Sequence, residues 1–405
     1  MKRVQRIVGV ERDYAWGSPD AIPSLLGRQP TGSPVAELWF GAHPDAPARL
    51  PATFGETGPD LRTHIAADPV GALGEDVVSR FGPELPFLLK LIAPARPLSL
   101  QVHPSLERAR ERFAAESAAG IALDDPTRSY RDPNHKPELV FALTTFRAMC
   151  GFRAPRRAAE LLAGLDAPLA QELHAMLRAD PTAEGVRAAF TSLLDDATRP
   201  SAEAVHEVAR ACARRLADGS PSPRADTTVV KLADAYPGDP GVVVSLLLNP
   251  VTLQPGDALF VPAGGVHVYL AGLGVELMAA SDNVLRAGLT PKHVDVPEML
   301  ECVDYVAAPP IRIAPEVFHG ATRVFYAPVD DFELAVTTLT DTDGGPDHPL
   351  PGRGPRVLVC LDGRVEVSSR TDSAVLERGD AYFVRADEGA LRGRGAGTLV
   401  QADVP

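Results

Sequence analysis

Between Pro97 and Ser105 the chain reads PLSLQVHPS, and apolar Leu98, Leu100 and Val102 alternate with Ser99, Gln101 and His103. Alternation places the two sets on opposite faces of a strand. The run predicts a short interior strand whose polar face carries a hydroxyl, an amide and an imidazole. Buried polar groups cost free energy unless they are satisfied, so this face points to a bound group. Other short apolar runs broken by Gly and Pro, such as PFLLKLIA and ELVFALT, predict that residues 1 to about 150 are mostly strand.

After Gly151 the period changes. Stripes at helical spacing follow at Leu161, Leu162 and Leu165, then at Leu169, Leu173, Met176 and Leu177. Val186, Phe190, Leu193 and Leu194 form the next, and Val205, Val208, Ala209, Cys212 and Leu216 the last. Thr182 and Ser201 stand as N-caps, with Glu184 and Glu203 in the turns behind them. DGSPSPRAD reads as the loop that closes this block, and strand character returns with GVVVSLLLN. Beyond about residue 320, RVLVCLDGRVEV, AVLERGDAYFVRA and GTLVQADV predict further short strands. A helical block between two β-rich stretches predicts an insertion into one barrel, with a second barrel at the C-terminal end.

Composition narrows the function classes. The 405 residues, 45% hydrophobic and 23% charged, leave room for two or three domains. A net charge of -13 without any basic run excludes a nucleic-acid binder. No apolar stretch approaches the roughly 20 residues that cross a bilayer. MKRVQRIVGVERDYAWGS has no apolar core followed by a small-residue cleavage site, so a cytoplasmic location is expected. Cys150, Cys212, Cys302 and Cys360 are scattered, which argues against a disulfide framework or a thiolate metal knot. The 40 cationic residues include only five lysines, Lys2, Lys90, Lys136, Lys231 and Lys292. Lysine can lose its proton in a suitable pocket and arginine cannot, so lysines retained in such a chain merit notice.

GDALFVPAGGVH supplies the next piece of chemistry. Its spacing of Gly256, Pro262, Gly264 and His267 resembles the second signature of the cupins, small jelly-roll barrels in which a tight turn aims a histidine at a metal. Gln101 and His103 share one strand face, and Glu138 in YRDPNHKPELVFAL stands at the mouth of a strand. Two neutral imidazoles, an amide and one carboxylate make a four-ligand set that suits zinc, without excluding iron, manganese or cobalt. A single anionic ligand leaves positive charge on the ion, which suits a Lewis acid.

YAWGS, AELWFGAHP, LPFLLKLIAPARPLSLQVHP, DPNHKPEL, PGDALFVPAGGVHVYL and SDNVLRAGLTPKHVD occur in this order. Together they resemble the type I mannose-6-phosphate isomerases, also called phosphomannose isomerases. The similarity is dense over 1–152 and 226–305 and loose in the C-terminal barrel. It implies two cupin-type jelly-roll barrels, mainly β, with an α-helical domain inserted in the first. The catalytic cupin would comprise 1–152 and 226–318, the helical insertion 153–225, and a cupin-like domain without metal 319–405. In that last domain Arg385, Asp387 and Ala390 stand where the signature has proline, glycine and histidine.

The resemblance also implies one zinc ion per chain on Gln101, His103, Glu138 and His267, and a catalytic arginine at Arg286. It places further site positions on Trp16, Glu37, His135, Lys136, Tyr269, Glu276, Asp282 and Lys292, and associates Ser99 and Lys90 with phosphate. The implied reaction interconverts mannose 6-phosphate and fructose 6-phosphate through a cis-enediol, with Lys136, His135 and Glu276 all reasonable as base. A sugar phosphate is then the partner, and a monomer is expected. Two rivals use the same residues: an iron-dependent cupin oxygenase and a non-catalytic sugar-phosphate-binding cupin. Trp16 and Trp39 read as lining or packing residues. His43, His64, His319 and His348 read as surface histidines, and His174 and His206 as surface or packing residues.

Overall fold

The computed structural model describes residues 3–51, 58–292, 294–340 and 347–405; Lys2 and His293 lie outside them. Among these residues the chain is mainly β, with several helices, and forms three sheets. A seven-stranded sheet runs Ile311–Ile313, Ala258–Val261, Glu138–Ala142, Gly274–Ala279, Phe87–Ile92, Glu37–Phe40, Val10–Arg12. A five-stranded sheet runs Leu285–Gly288, Leu100–Val102, His267–Ala271, Phe146–Phe152, Leu248–Leu253. All of their pairings are antiparallel. The third sheet is built from C-terminal strands around the long pair Arg356–Ser368 and Leu391–Asp403.

Alternation along these strands decides where the polar groups point. Leu139 and Phe141, Leu89 and Leu91, and Val275 and Leu277 turn toward a core shared with the C-terminal sheet. Their neighbours Glu138, Lys90 and Glu276 therefore turn the other way, toward the five-stranded sheet. There Val140, Ala142 and Ile92 meet Ala148, Cys150, Val251 and Tyr269. On the five-stranded sheet, Leu100, Val102, Met149 and Val268 pack outward against helices, which leaves Gln101 and His267 on the inward face. Each buried Leu or Phe contributes roughly 1.5–3 kcal/mol, and that apolar framework carries the burden of a charged interior.

The helical stripes fold as Pro155–Leu162, Pro168–Ala179, Ala183–Leu194 and Ala202–Ala217. Ser201 caps the last of these by accepting the Ala204 N–H, whereas Thr182 makes no such side-chain bond. The helical run also continues past the expected end. DGSPSPRAD is only partly loop, because Pro223 starts a helix reaching Ala235, and a proline in the first turn forfeits no needed N–H. GVVVSLLLN is strand only at its end: Gly241–Val244 is helical, Ser245–Leu247 is a 3-10 turn, and the strand begins at Leu248. An apolar run of that length fits a buried helix as well as a strand.

The first 150 residues hold more helix than the sequence implied, including Leu106–Ala118, capped by Ser105. Strands near both ends of the span expected as the first unit pair with C-terminal strands. Val4–Ile7 pairs with Ala381–Val384 and so belongs to the C-terminal sheet. Glu316–Phe318 pairs with Thr322–Phe325 in that same sheet. No helix among the described residues is long and apolar enough to cross a membrane.

Candidate active site

A cleft of about 1630 Å³ opens between the five- and seven-stranded sheets. Strand register builds its floor. His267 faces Gln101 on one side, and Arg286 faces Gln101 on the other. From the opposite sheet Glu138, the first residue of its strand, projects to the same point. The Nε2 of His103 lies 3.0 Å from one Glu138 oxygen and the Nε2 of His267 lies 3.5 Å from the other. The Gln101 amide reaches within 3.1 Å of His267 Nε2.

The far nitrogens of both rings identify the tautomers. His103 Nδ1 lies 2.8 Å from the Asn283 carbonyl and His267 Nδ1 lies 2.9 Å from the Gly265 carbonyl. A carbonyl can only accept, so each Nδ1 carries the proton and each Nε2 presents a lone pair. Two lone pairs and a carboxylate thus converge among fully buried side chains, and His103 Nε2 finds no hydrogen-bond donor among the described residues. Burial first, against the pull of Glu138, holds His103 down to about 4, so its ring stays neutral. Acceptors facing acceptors repel unless a cation lies among them. The donor set fits a divalent metal, with the carbonyl backstops orienting the ligands; turning the Gln101 amide would add an oxygen. Tyr269 donates to Glu138 Oε2 at 2.7 Å, and burial keeps its phenol protonated.

A second polar row lies beside this cluster. Glu276, Lys90 and Trp39 are register partners on adjacent strands. Lys90 Nζ sits 3.0 Å from Glu276 and 3.7 Å from Glu37, and 4.8 Å above the Trp39 ring. Burial opposes the Lys90 charge, but Glu276, Glu37 and Glu138 outweigh it and raise its pKa. Burial pushes Glu276 up to about 7, against the opposing pull of Lys90.

A family model described as phosphomannose isomerase type I, catalytic domain, matches residues 4–155. The mannose-6-phosphate isomerase of Escherichia coli (strain K12) is 38% identical, covering 98% of this chain and 99% of that one. Mannose-6-phosphate isomerase 1 of Arabidopsis thaliana is 32% identical, covering 95% and 90%. A zinc-bound mannose 6-phosphate isomerase crystal structure covers 100% of both chains with a TM-score of 0.87 and 38% identity.

The chain belongs to the mannose-6-phosphate isomerase family.

Within this family member the cleft gathers most of the positions that the sequence singled out. Trp16, Glu37, Lys90, Ser99, Gln101, Lys136, Glu138, Tyr269, Glu276, Asp282, Arg286 and Lys292 all line it. Arg286 makes no ion pair or hydrogen bond to another described side chain, so its charge is open to a ligand. Burial, then Arg131, lowers its pKa; burial, then Arg286, lowers that of Lys292.

Other expectations are revised. His135 does not line the cleft; its Nε2 lies 3.0 and 3.1 Å from the two oxygens of Asp331, in the C-terminal part of the chain. Lys90 is buried and already paired with carboxylates, so it is not a free cation for phosphate. His43 and His64 are buried rather than on the surface, and His43 lines the cleft. His348 is half-buried and lies 2.9 Å from the Thr322 hydroxyl. The AELWFGAHP motif contains His43, and that was the available signal for it.

Proposed function

We propose that this chain interconverts mannose 6-phosphate and fructose 6-phosphate, with zinc held by Gln101, His103, Glu138 and His267. The observation that carries the reading is the convergence of two buried imidazole lone pairs and the Glu138 carboxylate beside a cleft that Gln101, Glu138 and Arg286 line. Aldose–ketose exchange moves a proton between C1 and C2 of the open-chain sugar and develops charge on the adjoining oxygens. Zinc, when bound, supplies a Lewis acid that polarises those oxygens.

The side chains divide the remaining work. Arg286 offers an unpaired guanidinium to an oxyanion, fixed in place by its strand next to Gln101. Lys136 is the best placed of the base candidates. It lines the cleft with Nζ 3.8 Å from Glu138, whereas His135 is held by Asp331 and Glu276 by Lys90. Ser99 and Lys292 offer the donors for the phosphate, and binding energy from that remote group orients the reacting carbons. Glu37, Asp282, Tyr269 and Trp16 complete the substrate wall.

We read the architecture as two jelly rolls with a helical block inserted in the first. The shared core of the five- and seven-stranded sheets supports the first barrel, and the helices fall between their contributing segments. The chain is proposed to act as a monomer in the cytoplasm, where its four free cysteine thiols would stay reduced.

The test is to incubate the purified protein with mannose 6-phosphate in deuterated water. Formation of fructose 6-phosphate with solvent deuterium at C1 supports enediol transfer. Oxygen uptake instead would indicate a cupin oxygenase, and binding without turnover would indicate a sugar-phosphate sensor.

A further inference from the structure

His43 follows the strand Glu37–Phe40 and is buried against Trp39, edge to face with ring centroids 5.1 Å apart. Its Nδ1 accepts the backbone N–H of Asp45 at 3.3 Å. The ring proton of the neutral imidazole therefore sits on Nε2, which lies 3.2 Å from Asp282 Oδ2. His43, Asp45 and Asp282 could crowd round a cation by distance alone. Both ring nitrogens of His43 are already engaged, however, so the ring has no lone pair left to offer a metal.

Asp282 lines the cleft with its side chain 32% exposed. The backbone around it is pinned by Asp132, which accepts the Asp282 N–H at 2.8 Å and the Ser281 hydroxyl at 2.9 Å. Asn283 in turn holds the ligand His103 through its carbonyl. The loop is thus anchored from below, and the carboxylate of Asp282 is anchored by His43. Its Oδ1 has no hydrogen-bond partner among the described residues.

We infer that His43 is a positioning residue for sugar recognition, fixing Asp282 through Oδ2 so that Oδ1 accepts a hydroxyl of the phosphorylated sugar. This rests on the isomerase reading above and deepens it. A charge-assisted donor is among the stronger hydrogen bonds, and it keeps the carboxylate ionised and in one rotamer. Burial raises the Asp282 carboxyl, but the His43 bond outweighs it and the net shift is downward.

The test compares His43→Phe, which keeps the ring and its packing but removes the donor, with His43→Gln, which can restore an N–H. Turnover of mannose 6-phosphate and its calorimetric Kd are measured for both, for Asp282→Asn and for the His43→Phe/Asp282→Asn double variant, with zinc content and thermal midpoint as controls. The expected result is a KM and Kd raised on the order of tenfold in His43→Phe, with kcat changed much less. His43→Gln should recover most of that loss, and the double variant should be no weaker than Asp282→Asn alone. Unchanged binding in His43→Phe, or losses that multiply in the double variant, would overturn the inference. Wild-type protein that binds without turnover contradicts the isomerase reading and leaves His43 judged on Kd. Absence of both in the wild type contradicts both.

Discussion

Gln101 and His267 face each other across neighbouring antiparallel strands, their side chains 3.1 Å apart, at the point where Glu138 arrives from the opposite sheet. A ligand amide placed this way is held by strand register rather than by a loop. Gln101→Leu leaves an apolar side chain one atom shorter and removes the oxygen donor. It is expected to weaken zinc binding by on the order of tenfold or more, as loss of a metal partner does elsewhere. Competition against a chromophoric chelator measures it, and unchanged affinity would remove Gln101 from the ligand set.

His135 and Lys136 are adjacent in sequence and differ in what they touch. Lys136 lines the cleft, so Lys136→Met is expected to lower kcat by about 10²–10⁴-fold, the range for a lost general base. His135 is bound to Asp331, so His135→Asn is expected to cost less than about tenfold, mainly through a looser loop. Steady-state kinetics of the two variants separates the roles. A larger loss in the His135 variant would return the base to that residue.

The helical block contains a buried ion pair remote from the chemistry. Asp226 is fully buried, accepts two hydrogen bonds from Arg215 at 2.8 and 2.5 Å, and takes a third from Ser220 at 2.6 Å. Asp226→Ala leaves the guanidinium uncompensated and is expected to destabilise the fold by about 3 kcal/mol. Urea unfolding reads the loss, while kcat and KM of the folded fraction should stay at wild-type values.

His64 gives the fold a pH dependence. It is buried, its Nε2 has no hydrogen-bond partner, and burial, then Arg385, lowers its pKa from 6.5. The folded state therefore binds fewer protons at this site than the unfolded chain. Its penalty is absent above about pH 6.5 and grows as pH falls below that value. His64→Phe, which keeps the ring against Phe383, should lose this part of the acid sensitivity. Unfolding midpoints between pH 8 and pH 5 for both proteins check the sign.

Much of the site was legible because it is written in local periodicity. The alternation of Leu100, Gln101 and Val102 fixes which face the amide takes, and the turn before His267 fixes its aim. Pairing across the fold was not legible. His43 looks like a surface residue until Asp282 is brought beside it from a distant segment, and the salt bridges of Lys90 and His135 depend on contacts of the same kind. Secondary structure failed where composition was ambiguous. Pro223 reads as a breaker although it begins a helix, and the β-branched run Val242–Val244 is helical in its buried setting. Leu106–Ala118 is legible in its Ser105 cap and its Ala, Glu and Arg content, a helix set among short strands.

The central claim is that two imidazoles, an amide and a carboxylate hold one functional zinc ion beside Arg286. It is tested most directly by stripping the protein with a chelator, removing the chelator, and titrating zinc while following mannose 6-phosphate conversion. Activity should fall to background and return in proportion to added zinc, levelling at one ion per chain, with no recovery in Glu138→Ala. Full activity in the stripped protein, or equal recovery in Glu138→Ala, would contradict the account.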